Sequence, residues 1–212
     1  MIWLLISILL GYIIGSFPTS FIVSKLWAGI DIREHGSGNA GFTNVGRVLG
    51  WKPAILVMIV DLFKGFSVSY WIAPYFAQSI TFPIEAVQLL TGCSAIIGHI
   101  WTLFAGFRGG KGVLTAGGVF LAIIPLATII SVLIGLLIML VFRYVSLGSM
   151  VGGICLPIII ALQKYMFHQP VPNLLFIFSI LTALLILFSH RSNIKRLLSG
   201  TENKIGSVKS RV

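Results

Sequence analysis

The stretch Val113–Phe142 reads VLTAGGVFLAIIPLATIISVLIGLLIMLVF, thirty residues without a single charge. A helix needs about 20 apolar residues to cross a bilayer, so this run is too long for one ordinary crossing and short for two. Pro125 sits inside it. A proline lacks the N–H that a helix interior uses, and its ring clashes with the preceding turn, so the run is expected to break there into two short helices.

The charges on either side favour the break. Further apolar runs lie at 2–24, 53–74, 86–105, 147–166 and 173–189. With the central run split, the chain has seven spans. The N-terminus then lies outside and the C-terminus in the cytoplasm. Lys25, Arg33, Arg47, Lys52, Arg108, Lys111 and Arg143 all fall on the inner side, with Arg191, Lys195, Arg196, Lys204, Lys209 and Arg211 of the tail. Lys164 alone lies outside, and Lys64 within a span. One long central helix would move Arg143 and the whole tail outside, against the bias of Lys and Arg toward cytoplasmic loops. No basic residue precedes the first apolar run, which therefore reads as a span rather than a signal peptide.

Composition agrees. Of 212 residues, 57% are hydrophobic and 9% charged, where a soluble domain carries about 25% charged. The expected fold is an all-α integral membrane protein, residues 1–212 forming one transmembrane domain with some short helices. The net charge of +10 sits in short loops between spans, which argues against nucleic acid as the partner. Cys93 and Cys155 both lie in apolar runs, so neither a disulfide framework nor a metal site is expected.

Four polar segments gather on the inner side of this topology. The first, Gly36–Arg47, reads GSGNAGFTNVGR. Its glycines let the backbone turn several N–H groups toward one anion, and Arg47 offers a forked cation suited to phosphate oxygens. A plain linker would need neither the two asparagines nor the arginine. The second, Gly106–Gly112, reads GFRGGKG and runs into the next helix, where N–H groups beside a lysine suit phosphate. It is not a Walker A loop, because Ala105 and Gly112 occupy positions where that pattern needs Gly and Ser or Thr. The third, Arg143–Ser149, supplies hydroxyls that either donate to a substrate or cap the following helix. The fourth, His190–Arg196, places His190 and Asn193 on one face if the helix continues. The candidate substrate-binding residues are therefore Ser37, Gly38, Asn39, Thr43, Asn44, Arg47, Gly110, Lys111, Gly112, Ser146, Ser149, His190 and Asn193. His190 is also the one candidate for a catalytic base. Asp61 and Lys64, one turn apart inside a span, read as an ion pair that stabilises the bundle, and His99 as a packing residue.

Together these segments resemble the PlsY family, the acyl-phosphate-dependent glycerol-3-phosphate acyltransferases of bacterial membranes. The resemblance covers nearly the whole chain: Gly15–Pro18, Gly36–Arg47, Asp61 with Lys64–Gly65, Gly98–His99, Gly109–Gly112, and His190–Arg196 with Gly200 and Glu202. Phe42 and Leu114 stand where the family often has Ala, and Thr102 where it often has Pro. The resemblance implies acyl transfer from acyl phosphate to the 1-hydroxyl of glycerol 3-phosphate, giving lysophosphatidic acid and phosphate. It implies that Ser37, Arg47, Lys111, Ser149, His190 and Asn193 match positions that hold substrate phosphate and glycerol groups, with Ser146 close enough to Ser149 to compete for that role. No cofactor or metal is implied. The implied partners are both substrates, membrane lipid and a soluble enzyme that makes the acyl phosphate. The implied location is the bacterial inner membrane, with the site at its cytoplasmic face.

Neighbouring chemistries lack their residues. No histidine has an aspartate five positions on, as many acyl-CoA-dependent enzymes have, and Asp31 and Asp61 are the only aspartates. An organic-phosphate transporter is the rival from another class. Such proteins hold ligands near the midplane between repeats, whereas only Asp61 and Lys64 lie at that depth here.

Overall fold

The computed structural model describes residues 1–206; Lys209 and Arg211 of the basic tail lie outside the described residues. Every regular element among them is helical. The α-helices in order are α1 (Ile2–Gly15), α2 (Thr19–Ala28), α3 (Phe42–Leu49), α4 (Trp51–Ser67), α5 (Ala73–Ala77) and α6 (Ile84–Ile100). They continue as α7 (Val113–Ile123), α8 (Pro125–Phe142), α9 (Val145–Ala161), α10 (Asn173–Ser189) and α11 (Arg191–Leu198). Wider helical turns extend α4 through Val68–Ile72 and α9 through Leu162–Met166.

Prolines set several of the starts. Pro18, Pro83 and Pro172 immediately precede α2, α6 and α10, and Pro125 opens α8, where a missing N–H is no loss. The uncharged run does break at this proline. Ile124 adopts φ −139° and ψ 72°, outside the helical region, and separates α7 from α8. The expected single run at 2–24 is also interrupted: α1 stops at Gly15 and α2 begins at Thr19.

Five helical stretches are long and apolar enough to cross a bilayer: Ile2–Ala28, Trp51–Ala77, Ile84–Ala105, Pro125–Phe142 and Val145–Met166. The pair α10 and α11, bent by 60°, makes a sixth if taken as one span, and α7 is a shorter apolar helix of 11 residues. Bulky apolar side chains face outward along these helices, with Leu133, Leu137 and Leu140 all more than half exposed. An apolar exterior of this extent fits lipid rather than water.

The chain forms two compact units, Met1–Ile123 and a second beginning at Ile124. In the first, α1 lies against α6 so closely that a side chain on Gly15 would strike the backbone of Ala95. Small residues allow such approach where lipid gives helices no hydrophobic drive to associate. The hydroxyls of Ser7 and Thr91 hydrogen-bond across the same pair at 2.7 Å. Helix α4 packs on α3 and α7, and Val23, Ile32, Val45, Ala54 and Val57 form a small core beneath the first loop. In the second unit, α8 and α9 form a hairpin, where Ser131 Oγ donates to the carbonyl of Gly152 at 2.5 Å, and α10 packs on α9.

Candidate active site

The first polar loop starts from a rigid strut. Asp31 accepts from the Arg33 backbone N–H at 3.0 Å and pairs with its guanidinium, Oδ2 to Nη2, at 2.6 Å. These hydrogen bonds hold the Asp31 carboxyl below its ordinary range. Arg33 Nη1 continues to the carbonyl of Ala105 at 2.8 Å, tying the first loop to the turn that leads into the second.

Asn44, in the first turn of α3, is buried and fully engaged. Its Oδ1 accepts from the Ser37 N–H at 2.8 Å, and its Nδ2 donates to the carbonyls of Ile32 at 3.1 Å and His35 at 2.9 Å. Both amide hydrogens are committed to the loop, so Asn44 shapes the site rather than presenting its amide to a substrate. It thereby holds Ser37, which is exposed beside Gly38, while Asn39 is half-buried. Thr43 and Arg47 follow at i,i+4 on one side of α3, both half-buried.

The second loop departs from expectation in one respect. Gly109 N–H donates to the carbonyl of Ile100 at 3.0 Å and Gly110 N–H to that of His99 at 3.1 Å. These groups satisfy the open C-terminal end of α6 instead of offering themselves to an anion. The donors suited to phosphate therefore begin at Lys111, which is half-buried, and continue into the first turn of α7. Gly112 makes the corner between loop and helix at φ 79°, a conformation that few residues other than glycine adopt.

Beneath this loop lies a buried cluster that sequence reasoning only half captured. Lys64 Nζ stands 2.9 Å from Asp61 Oδ1, the ion pair expected from their spacing. Its hydrogen bonds, however, run to the carbonyls of Gly15 at 3.2 Å and Phe17 at 3.0 Å, and to His99 Nδ1 at 3.3 Å. The ammonium thus satisfies carbonyls exposed where α1 stops short of α2. His99 is more than a packing residue, because it joins this cluster to the second loop through its own carbonyl. Thr102, where a proline was the family expectation, donates its hydroxyl to the carbonyl of Ser16 and fastens the same corner.

In the second unit the chain turns sharply between α8 and α9. Arg143 takes a left-handed conformation, φ 62°, and Tyr144 is extended. Ser146 does not cap α9. Its hydroxyl lies 3.2 Å from Glu202 Oε1, which also accepts from Asn193 Nδ2 at 2.9 Å, while Arg196 Nε reaches Oε2 at 2.8 Å. The segment after α11 returns to the turn, with Ile205 N–H donating to the Arg143 carbonyl and Arg143 Nη2 to the Ile205 carbonyl, both at 2.8 Å. Glu202 had entered only through the family pattern; its position at the centre of three side chains depends on this return. Ser149 lies one turn beyond Ser146 in α9 and is half-buried. The helix does not continue straight through the fourth segment, since α10 ends at Ser189 and α11 departs at 60°. His190 and Asn193 are both buried even so. His190 Nδ1 lies 2.8 Å from the Ile186 carbonyl, an acceptor, so Nδ1 carries a proton.

The fold and these clusters define an integral membrane protein whose polar chemistry lies at helix ends. The sequence model described as "Glycerol-3-phosphate acyltransferase" matches residues 5–200. Among curated relatives, the glycerol-3-phosphate acyltransferase of Pelodictyon phaeoclathratiforme is 44% identical, with 97% of each chain covered. That of Chlorobaculum tepidum is 43% identical, again over 97% of each. A crystal structure of PlsY, an integral membrane glycerol 3-phosphate acyltransferase in its glycerol 3-phosphate form, superposes with a TM-score of 0.84 at 36% identity, covering 96% of both chains. The lysophosphatidic acid form of that enzyme gives 0.81 at the same identity and coverage. The chain belongs to the glycerol-3-phosphate acyltransferase family of PlsY type, and it is a membrane acyltransferase.

Proposed function

We propose that this chain transfers a fatty acyl group from acyl phosphate to the 1-hydroxyl of glycerol 3-phosphate, releasing lysophosphatidic acid and inorganic phosphate. The observation that carries the reading is the joining of two glycine-rich loops in the first unit. Arg33 bonds to Ala105, and Gly110 lies against the carbonyl of Ala40, so the segments bearing Arg47 and Lys111 are built as one assembly. Two phosphorylated substrates repel each other, and fixed cations with oriented N–H groups offset that repulsion while holding the reacting atoms close.

The chemistry asks little more of the protein. Acyl phosphate is a mixed anhydride, so the substrate hydroxyl attacks the acyl carbon and the C–O bond to phosphate breaks. The hydroxyl proton passes to a phosphate oxygen, and no enzyme nucleophile is needed. His190, with Nε2 as acceptor, takes a hydrogen bond from a substrate hydroxyl and orients it. Ser37, Thr43, Arg47, Lys111 and the first turn of α7 hold phosphate oxygens; Ser146 or Ser149 with Asn193 holds the glycerol. The site faces the cytoplasm of a bacterial inner membrane, in one transmembrane domain of seven crossings that counts α7 and α10 as spans. A soluble enzyme supplies the acyl phosphate, and the acyl chain enters sideways from the lipid.

The transporter alternative rested on Asp61 and Lys64. The ammonium is occupied by the carbonyls of Gly15 and Phe17 and by His99, which removes that support. The test is a comparison of donors. Purified protein given glycerol 3-phosphate should form lysophosphatidic acid with acyl phosphate and without added metal or nucleotide. Turnover with acyl-CoA but none with acyl phosphate would overturn the donor assignment.

A further inference from the structure

An ammonium group has no lone pair, so the His99 Nδ1 that faces Lys64 Nζ at 3.3 Å must accept, and the ring proton sits on Nε2. His99 is 8% exposed, and Nε2 has no hydrogen-bond partner among the described residues. A ring N–H on a largely buried side chain that has no protein acceptor takes an oxygen from the cleft it borders. Its surroundings say which kind. A Cβ placed on Gly110 would crowd both His99 Nε2 and the carbonyl oxygen of Ala40, so these atoms flank one face of that glycine within reach of a single bridging oxygen. Both line a cleft of about 20 Å³ that also touches Ser20, Lys64 and Arg108. A volume of about 10–15 Å³ on this measure already accommodates one water-sized group.

We propose that His99 Nε2–H and the Ala40 carbonyl form a binding point for one hydroxyl oxygen, which ties the first loop to the second. The occupant must accept from nitrogen and donate to a carbonyl. A water or an alcohol of the substrate does both, whereas a fully ionised phosphate oxygen cannot donate. Glycine at position 110 is required because any side chain would strike the His99 ring and the Ala40 carbonyl. As a step in catalysis the inference rests on the function proposed above, but the binding point itself does not.

Three substitutions separate the ring nitrogens. His99→Gln keeps a donor where Nε2 stands, His99→Asn keeps only the Nδ1 position, and His99→Leu keeps neither. If the occupant is the substrate alcohol, His99→Asn and His99→Leu raise KM for glycerol 3-phosphate about tenfold, while His99→Gln stays within about threefold. If it is a resident water, the same two variants melt lower without substrate, KM is little changed, and His99→Gln again resembles the parent. Equal damage in all three overturns the proposal. A measurement on the unmodified protein covers variants that fail to fold. In histidine-labelled protein, the ¹⁵N spectrum should show one ring protonated at Nε2 with a slowly exchanging proton, and Nδ1 protonation of His99 would sink the idea. If the parent chain turns over no glycerol 3-phosphate, the functional reading fails while the tautomer result still stands.

Discussion

Asn193 Nδ2 and Ser146 Oγ meet at a single atom, Oε1 of Glu202, at 2.9 and 3.2 Å. Two residues 47 positions apart on different helices are thus aligned by a carboxylate from the segment after α11. A charged hydrogen bond contributes about 1.5–3 kcal/mol. Glu202→Gln should therefore lower the melting temperature of detergent-solubilised protein and reduce turnover, whereas Ser146→Ala, which removes one of the three contacts to this carboxylate, should lower the melting temperature less. An E202Q protein that melts and turns over like the parent would show that the carboxylate organises nothing.

Arg47 and Lys111 are assigned to phosphate. Losing one charge-assisted contact of about 1.5–3 kcal/mol corresponds to roughly 10–150-fold. Arg47→Ala and Lys111→Ala should each lower kcat/KM by at least that much, with melting temperatures near the parent's. Near-normal kinetics in both would refute the phosphate clamp. Arg47→Lys should recover only part of the loss, since a lysine cannot reproduce the forked geometry.

His190 distinguishes holding from proton transfer. His190→Asn retains a donor for the Ile186 carbonyl but removes Nε2. A positioning role predicts a higher KM for glycerol 3-phosphate with a modest change in kcat. A large fall in kcat with unchanged KM would instead make this ring the base.

The strut at Asp31 sets an acid limit. Its carboxyl is held below the ordinary 3.8 by the Arg33 hydrogen bonds, so folding favours the ionised form. That contribution is fully present above pH 3.8 and is lost as pH falls through the lower, folded value. Thermal melts should be unaffected by this group from neutral pH down to about pH 5, then decline below about pH 4. Asp31→Asn should melt lower at neutral pH and show a shallower decline in acid. Identical acid profiles would contradict the assignment.

The ion pair at α4 should be intolerant of half-removal. Deleting one partner of a buried pair leaves an uncompensated charge, at a cost of about 3–5 kcal/mol. Asp61→Ala should thus be more damaging to the melting temperature than its size suggests. Adding Lys64→Met should recover part of the loss, though not the part due to the carbonyls of Gly15 and Phe17. A double variant that melts lower than Asp61→Ala by the full cost of Lys64→Met alone would mean the two residues are not coupled.

Features encoded within one helix length were readable from the chain. The break before Pro125 needs only a run length and a residue without an N–H. The Asp61–Lys64 pair needs only the i,i+3 spacing. The loops were recognisable as polar, glycine-rich segments, but the use of their donors was not. Gly110 was expected to face an anion, yet its N–H, like that of Gly109, completes α6, because a helix end leaves carbonyls that the nearest chain satisfies first. Asn44 was expected to touch substrate, yet it is consumed by its own loop. The joining of Arg33 to Ala105, His99 to Lys64 and Glu202 to Ser146 depends on how helices pack, at sequence separations of 72, 35 and 56. No local periodicity reports such pairings.

The gap between α1 and α2 leaves the Gly15 carbonyl without a backbone donor inside an apolar span. Lys64 supplies its hydrogen while adding a second donor to the Phe17 carbonyl, which already accepts from the Thr19 N–H. A buried carbonyl without a donor is penalised in lipid, and α4 carries its ammonium with a counter-charge, Asp61, on the same helix. The second apolar stretch therefore brings a neutralised donor with it, and it is the interrupted first stretch that depends on its neighbour to be complete at that depth.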